Sequence, residues 1–542
     1  MILIRNLKTS ALKALWITLS LIFFYSVSTV HAGSKTVVAG QSLQQKILTM
    51  QPGDTLLIRD GQYFETLEIN QGTTEGAPIV LMAYPGERPV ITSSSGNPIV
   101  LGDNVVMNGL LIDHGGASED AINIRGNYNT IINCEIRNGK RDAIEINSGV
   151  GHRIENNVIH DFVWQPGKDA HGIVTDPGIK DLTIIGNTIY NCGGDCIQLY
   201  ASGSDPISDY SKNVDIINNI LYTTLGSSSE NGLDFKGIDG GSIVGNEIYG
   251  FEDKAVVVQK GCRNLLFESN IIHDNQRGME FRGENDKSQE NMVIRYNVIY
   301  NVSDYYAVKF DWVDNVEFVN NTIAFVNARS ILIEEEGLTN SKIINNVIYQ
   351  ADEPKIDGTF DVEYHHNGWF QVDAGPMISS SDVTGSDPGF ASVNTFDFQL
   401  RANSPLINKG ASVGLSFVGS APDIGAYEYG AATAVAENDD FDTAVPKSFV
   451  LEQNWPNPFS ATQSNVTRIP MNLNEVSSVT ITVYNILGQS VNEIYHGVLA
   501  GGKHELQWDG RDQFGNHVAP GVYYYELRTQ NGRMAKPMIL VD

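Results

Sequence analysis

Along the middle of this 542-residue chain a short phrase recurs, with charged, amide and aromatic residues at fixed places between apolar ones. It reads DAIEIN (142–147), HGIVTD (171–176), DCIQLY (195–200), NGLDFK (231–236), KAVVVQK (254–260), RGMEFR (277–282), YAVKFD (306–311) and RSILIE (329–334). A strand turns successive side chains to opposite faces, so the fixed apolar positions point one way and the residues between and after them the other. If the copies stack, that second set makes two columns on one outer face. One runs Glu145, Val174, Gln198, Asp234, Val257, Glu280, Lys309, and its neighbour runs Asn147, Asp176, Tyr200, Lys236, Gln259, Arg282, Asp311, Glu334. Simple solvation would accept any polar residue at these places. A mixture of acid, base and tyrosine is what proton transfer beside a neutralised charge requires.

The chemistry this set suits is β-elimination from a uronate sugar. That reaction needs a base for the C5 proton and a cation on the carboxylate, so that C5 becomes acidic enough. Lys236, beside Asp234, is the candidate base, provided its pKa is lowered. Arg282, two copies away and so about 10 Å along a stack, is the candidate neutraliser. Tyr200 and His171 are the alternate proton donors. Asp176, Gln198, Trp164, Glu280, Lys309 and Lys260 are candidate substrate contacts, and Asp195, Asp234 and Glu230 could share a Ca²⁺. The plainer alternative is a solvated face on which Lys236 merely pairs with Asp234.

What must position these residues is legible in a second repeat. One Asn returns inside a short apolar phrase: Asn157, Asn187, Asn219, Asn246, Asn270, Asn297, Asn321 and Asn346, with Asn108 opening the series, Cys134 standing in once, and Asn367 closing it. The spacings run from 21 to 32 residues, a period that signals a solenoid. Each repeat holds β-branched runs separated by turns, with no helical period, so the coil is all-β. Stacking puts each Asn about 4.8 Å above the last, where side-chain amides can bond along the column. The fold expected is a right-handed parallel β-helix of about eleven coils. The residue before the outer columns is small (Ala143, Gly172, Cys196, Gly232, Ala255, Gly278, Ala307), which leaves a shallow trough. The two longest coils run from Asn157 to Asn219, and their loops FVWQPGKDAH and SGSDPISDYSKN could wall it with Trp164, Tyr200 and Tyr210. His160 and His273 recur at equivalent turns and read as turn residues.

Residues 1–32 read as a signal peptide: Arg5, Lys8 and Lys13 precede an apolar run that ends in Val30-His31-Ala32. No other stretch could span a membrane. Removing this segment takes the formal charge from −28 to about −31, which argues against nucleic acid as a partner and suits a monomer outside the cell. Four cysteines (Cys134, Cys192, Cys196, Cys262) are too few for a disulfide framework, although a Cys192–Cys196 bridge is compatible with export. Residues 33–429 form the β-helix domain, with an N-terminal cap over about 33–100 in which Gln44–Met50 can form a short helix. Residues 430–447 are a small, acidic linker. Residues 448–542 alternate strands with turns such as Asp509-Gly510 and read as a small β-sandwich.

Four stretches carry resemblances. QPGDTLLIRDGQYFETLEI and GTTEGAPIVLMAYPGERPVI resemble the entry segment of exported β-helix polysaccharide lyases, including the chondroitinase B and alginate lyase family. That resemblance implies a Lys base with Ca²⁺ or Arg as neutraliser, acting on an extended anionic polysaccharide. Gly194-Asp195-Cys196-Ile197 is similar to a polygalacturonase phrase, but the Arg-x-Lys of those hydrolases is absent, so hydrolysis ranks below elimination. The closing phrase from Asp387-Pro388 to Tyr429 resembles the edge of bacterial surface β-helix proteins. LEQNWPNPFS, ITVYNILGQSV and LQWDGRDQFGNHVAPGVYYYEL resemble the C-terminal sorting domain of the type IX secretion system. This implies a partnership with that machinery, and a place outside the cell or on its surface. A non-catalytic glycan-binding adhesin is the second functional class that fits the same trough.

Overall fold

The computed structural model describes residues 33–541 apart from 74–75, 93–98, 164–168, 285–286, 431–448, 452–453, 455–458, 461–465, 474–476, 486–489, 519–520 and 530–531. The signal segment, most of the linker and Trp164 therefore lie outside the described residues.

The chain winds into an all-β parallel solenoid of about 13 turns. Two more turns are present than the Asn count suggests, because residues expected as a cap already pair in the coil. Ser34–Val37 pairs with Thr55–Ile58, which pairs with Ile79–Ala83, all parallel. The true cap is one short helix, Leu43–Ile47, whose Ser42 hydroxyl accepts from the Gln45 amide at 3.2 Å. A 24-stranded sheet and a 14-stranded sheet run the length of the coil. The larger sheet bends through a corner. That corner is a turn in the early coils and unbroken strand in Tyr306–Val319 and Arg329–Ile344. Inside, like stacks on like: Ile173, Ile197, Leu233, Val256, Met279 and Val308 form one buried row.

The Asn ladder is present and sealed from solvent. Asn246 accepts from the Asn219 amide and side-chain nitrogen at 2.9 and 3.0 Å, and donates to Asn270 at 3.0 Å and to the Ile216 carbonyl at 2.8 Å. Each side-chain oxygen thus satisfies the preceding coil's donors, which an apolar residue could not do. Its ends differ from expectation. Leu110 holds the rung below Cys134, since the Glu135 amide donates to the Leu110 carbonyl as the Val158 amide does to that of Cys134. Asn108 lies two residues off the column and accepts an exposed bond from Asn133. The physical reason is the turn: each rung follows one left-handed residue (Gly109, Asn133, Asn156, Gly186), and Asn108 precedes its own. At the other end Asp382 caps Asn367 at 2.9 Å.

All four cysteines are free and buried, so the Cys192–Cys196 bridge is not formed. Burial first, then the neighbouring Cys192, holds the Cys196 thiol well above its usual range. The closing segment packs Phe390, Phe398, Leu406 and Ile424 against Val298, Val347 and Phe370. On the outside of the 14-stranded sheet, His160, Tyr190, Tyr222, Tyr249, His273, Tyr300 and Phe396 stack face to face at 4.7–5.0 Å. His160 and His273 are links in this ring stack. The last domain packs two sheets, of three and five strands, about Leu451, Ile469, Ile481, Trp508 and Tyr525. Among the described residues no helix is long and apolar enough to cross a membrane.

Candidate functional site

The trough floor is formed where the strands Ile173–Thr175, Ile197–Leu199, Leu233–Lys236, Lys254–Gln259, Arg277–Arg282 and Tyr306–Val319 stack in register. That register sets Gln198 beside Asp234, Lys236 beside Gln259 beside Arg282, and Glu280 beside Lys309. The two outer columns are as expected, but the floor is more enclosed: Gln198, Asp234, Gln259 and Glu280 are all buried by their stacked neighbours and the loops.

A chain of contacts crosses three coils at the centre. Lys236 Nζ lies 2.8 Å from Asp234 Oδ2. Asp234 Oδ1 accepts from Gln259 Nε2 at 2.7 Å, and Gln259 Oε1 accepts from Arg282 Nη2 at 2.8 Å. Burial alone would lower the Lys236 pKa, but the charges of Asp234, Asp195 and Glu230, with the Asp234 hydrogen bond, outweigh it and hold the ammonium above its usual range. The base role assigned to Lys236 needs the opposite shift, so in this arrangement Lys236 is a fixed positive charge. Lys260 differs. It follows Gln259 in left-handed backbone (φ 60°) and its ammonium donates to the Ala201 carbonyl at 3.5 Å. It makes no ion pair among the described residues. Lys236 and Lys260 flank one ring, their Nζ atoms 5.7 and 5.6 Å from the centre of Tyr200, which is 38% exposed.

Upstream, the residues are tied among themselves. Asp195 Oδ1 accepts from the Asn231 amide (3.1 Å) and side chain (2.8 Å), and Oδ2 accepts from Gln198 at 2.7 Å. His171 is buried, and its Nδ1 accepts from the Asp195 amide at 2.9 Å, so this nitrogen is occupied in orienting backbone. Asp176 accepts from Asn147 at 3.3 Å. With their oxygens bound by protein donors, Asp195 and Asp234 do not form a cradle with Glu230. Among the described residues no three His, Cys, Asp or Glu side chains are grouped to hold a metal ion. The three residues do not fit the expected Ca²⁺. Downstream, Lys309 sits 3.4 Å from Glu280 and 2.9 Å from Glu334, and Lys254 lies 3.8 Å from Glu280. Tyr210, expected in the trough wall, is fully buried. Sequence reasoning missed Lys254 and Arg277, which precede the small residue of their coils and form a third outer column.

Asp195 is pushed up to about 7 by burial first and then by Asp234. Glu230, on an exposed rim loop, is pushed up to about 7 by partial burial, then by Asp195 and Asp169. A carboxyl with a raised folded-state pKa binds its proton more tightly folded than unfolded. Its stabilising effect is therefore complete below the unfolded value near 4 and is lost as pH rises towards about 7. The expected result is that Asp195→Asn narrows the difference in Tm between pH 5 and pH 8. An unchanged difference would show that Asp195 is ionised throughout.

The fold and trough define a right-handed parallel β-helix protein. Two models of such coils match it: the Pel9A-like right-handed beta helix region over residues 23–194 and the right-handed beta helix region over 171–367. The FlgD Ig-like domain model matches 457–533. Pectate lyase L of Dickeya chrysanthemi is 25% identical over 70% of this chain and 83% of its own. Among solved structures, the PL6 family polysaccharide lyase Pedsa3628 from Pseudopedobacter saltans is 15% identical, covering 71% of this chain and all of its own at a TM-score of 0.48. Pectate lyase Pel9A is 18% identical, covering 73% and 96% at 0.42. These structural likenesses concern the fold, and the trough residues stand on their own geometry.

Proposed function

We propose that this protein is an exported polysaccharide lyase that cleaves a uronate-containing chain by β-elimination in the trough. The observation that carries the reading is the pair Lys236 and Lys260 flanking Tyr200, with Arg282 linked to Lys236 through Gln259 and Asp234. Lys236 is held in an ion pair, and Lys260 makes none among the described residues. The likeness to a pectate lyase over most of both chains supports the same class.

Lys236 and Arg282 face the sugar carboxylate and offset the charge that builds on it as C5 loses its proton. Lys260, whose side-chain nitrogen lies 5.6 Å from the Tyr200 ring centre, is assigned the acceptance of that proton. The C5–H electron pair becomes the C4=C5 double bond, the C4–O4 bond breaks, and the leaving O4 takes a proton from the Tyr200 hydroxyl. Every atom is accounted for without water or oxidant. Gln198, Asp176, Glu280 and Lys309 line the floor on either side as contacts for neighbouring sugars. The terminal sandwich is the sorting module that takes the β-helix out of the cell.

The test incubates purified protein with alginate, pectate and chondroitin, and reads ultraviolet absorbance from the new conjugated double bond. Intact and lysed cells of the source organism are assayed alongside. Absorbance on one of the three, equal in intact and lysed cells, is the expected result. New reducing ends without absorbance would make the protein a hydrolase, and binding without cleavage would make it an adhesin. Activity confined to lysed cells would remove the export reading.

A further inference from the structure

The loop after Tyr200 does not simply wall the trough. It leans across the next coils and is fastened at both its middle and its end. Tyr210 is fully buried, and its hydroxyl donates to the Lys260 carbonyl at 2.5 Å, although 50 residues separate the two. Lys287, more than 80 residues further on, donates from Nζ to the carbonyls of Gly203 (3.1 Å) and Asp205 (2.5 Å). Its ammonium stands 5.1 Å from the centre of the Tyr210 ring, a cation–π contact. Two glycines leave room for this crossing. A Cβ on Gly237 would stand 2.8 Å from both the Ala201 Cβ and the Tyr210 ring. A Cβ on Gly261 would stand 2.9 Å from Lys287 Cβ and 3.1 Å from the Tyr210 hydroxyl. Both also have positive φ, so any other residue there would be strained as well as crowded.

We infer that Tyr210 and Lys287 form a clasp that positions Lys260 for the proton transfer assigned to it above. Lys260 lies in left-handed backbone (φ 60°), which a non-glycine residue adopts at a cost that its surroundings must offset. The Tyr210 hydroxyl grips the carbonyl of that residue, and the Ala201 carbonyl on the same loop meets its ammonium. The loop thus fixes both ends of Lys260. Lys287 in turn fixes the loop. Tyr210 and Lys287 touch no reacting atom in this scheme. They are positioning residues.

This inference rests on the elimination reading, so its test includes a readout that needs no activity. Lys260 is methylated reductively in wild type, Tyr210→Phe and Lys287→Met, and its rate of modification is followed by mass spectrometry. Faster modification in both variants is expected, with kcat on the uronate substrate falling about tenfold and KM moving less than about twofold, as for a misplaced catalytic group. A lower Tm with Lys260 reactivity and kcat both unchanged would overturn the clasp, because a purely structural tie would do only that. If wild type cleaves no uronate, the elimination reading falls, while the methylation rates still decide whether the clasp holds Lys260. Should Tyr210→Phe fail to fold, Lys287→Met carries the same comparison from the half-buried end of the clasp.

Discussion

Replacing Lys260 by alanine is expected to lower kcat by roughly 10²–10⁴-fold, the usual contribution of a general base, with little change in KM. Lys260→Arg is expected to lose as much. Arginine keeps the positive charge but cannot give up its proton in a protein, so this variant separates a base from a mere cation. Arg282→Ala removes charge stabilisation rather than the proton acceptor, and a loss of about 10²–10³-fold is expected. Lys236→Ala should resemble Arg282→Ala, and added salt should not restore it. The measurement is the rate of double-bond formation for each variant at saturating substrate. An active Lys260→Arg would make Lys260 an electrostatic contact. An inactive Lys236→Ala beside an active Lys260→Ala would return the base role to Lys236, its Asp234 pair opening on substrate binding.

The second large effect concerns the scaffold. Asn246→Ala takes away the acceptor for two Asn219 nitrogens and the donor to the Ile216 carbonyl, all sealed from solvent. The Asn219 side-chain nitrogen keeps the Ile184 carbonyl. Each of the two other buried groups left without this partner costs about 1–3 kcal/mol, so a loss of about 2–6 kcal/mol is expected. Asn108→Ala is the paired control. Asn108 accepts one exposed bond from Asn133, and surface changes of this kind usually stay within about 0.5 kcal/mol. Urea unfolding followed by circular dichroism gives both values. Equal losses would mean that the ladder register described here is wrong at Asn108. A small loss at Asn246 would mean that coil packing alone holds the stack.

Much of this protein is legible in its sequence because a solenoid is nearly one-dimensional: each coil touches only its neighbours, so position along the repeat predicts position in space. The recurring Asn fixes the coil and its period. Alternation within DCIQLY and NGLDFK fixes which side chains face out, and that is enough to bring Asp234, Lys236, Gln259 and Arg282 into adjoining coils. The ladder's ends were misjudged for a local reason. Asn108 and Leu110 differ only by their place about the left-handed turn at Gly109, and periodicity does not resolve two residues.

What only the tertiary structure decided is how the outward residues divide among themselves. Lys236 and Lys260 are both lysines at the end of a trough strand, and nothing in their types tells them apart. Asp234 points its carboxylate at one of them, while a left-handed turn carries the other to the Ala201 carbonyl, with Tyr200 beside both. The loop that holds Lys260 is likewise invisible to the repeat, because its ties run 50 and more than 80 residues along the chain. The sequence by itself therefore determined the coil, the trough and the residues of the two outer columns on its floor. The division of labour among those residues depends on distances of one hydrogen bond, which only the packed coils and the loop crossing them fix.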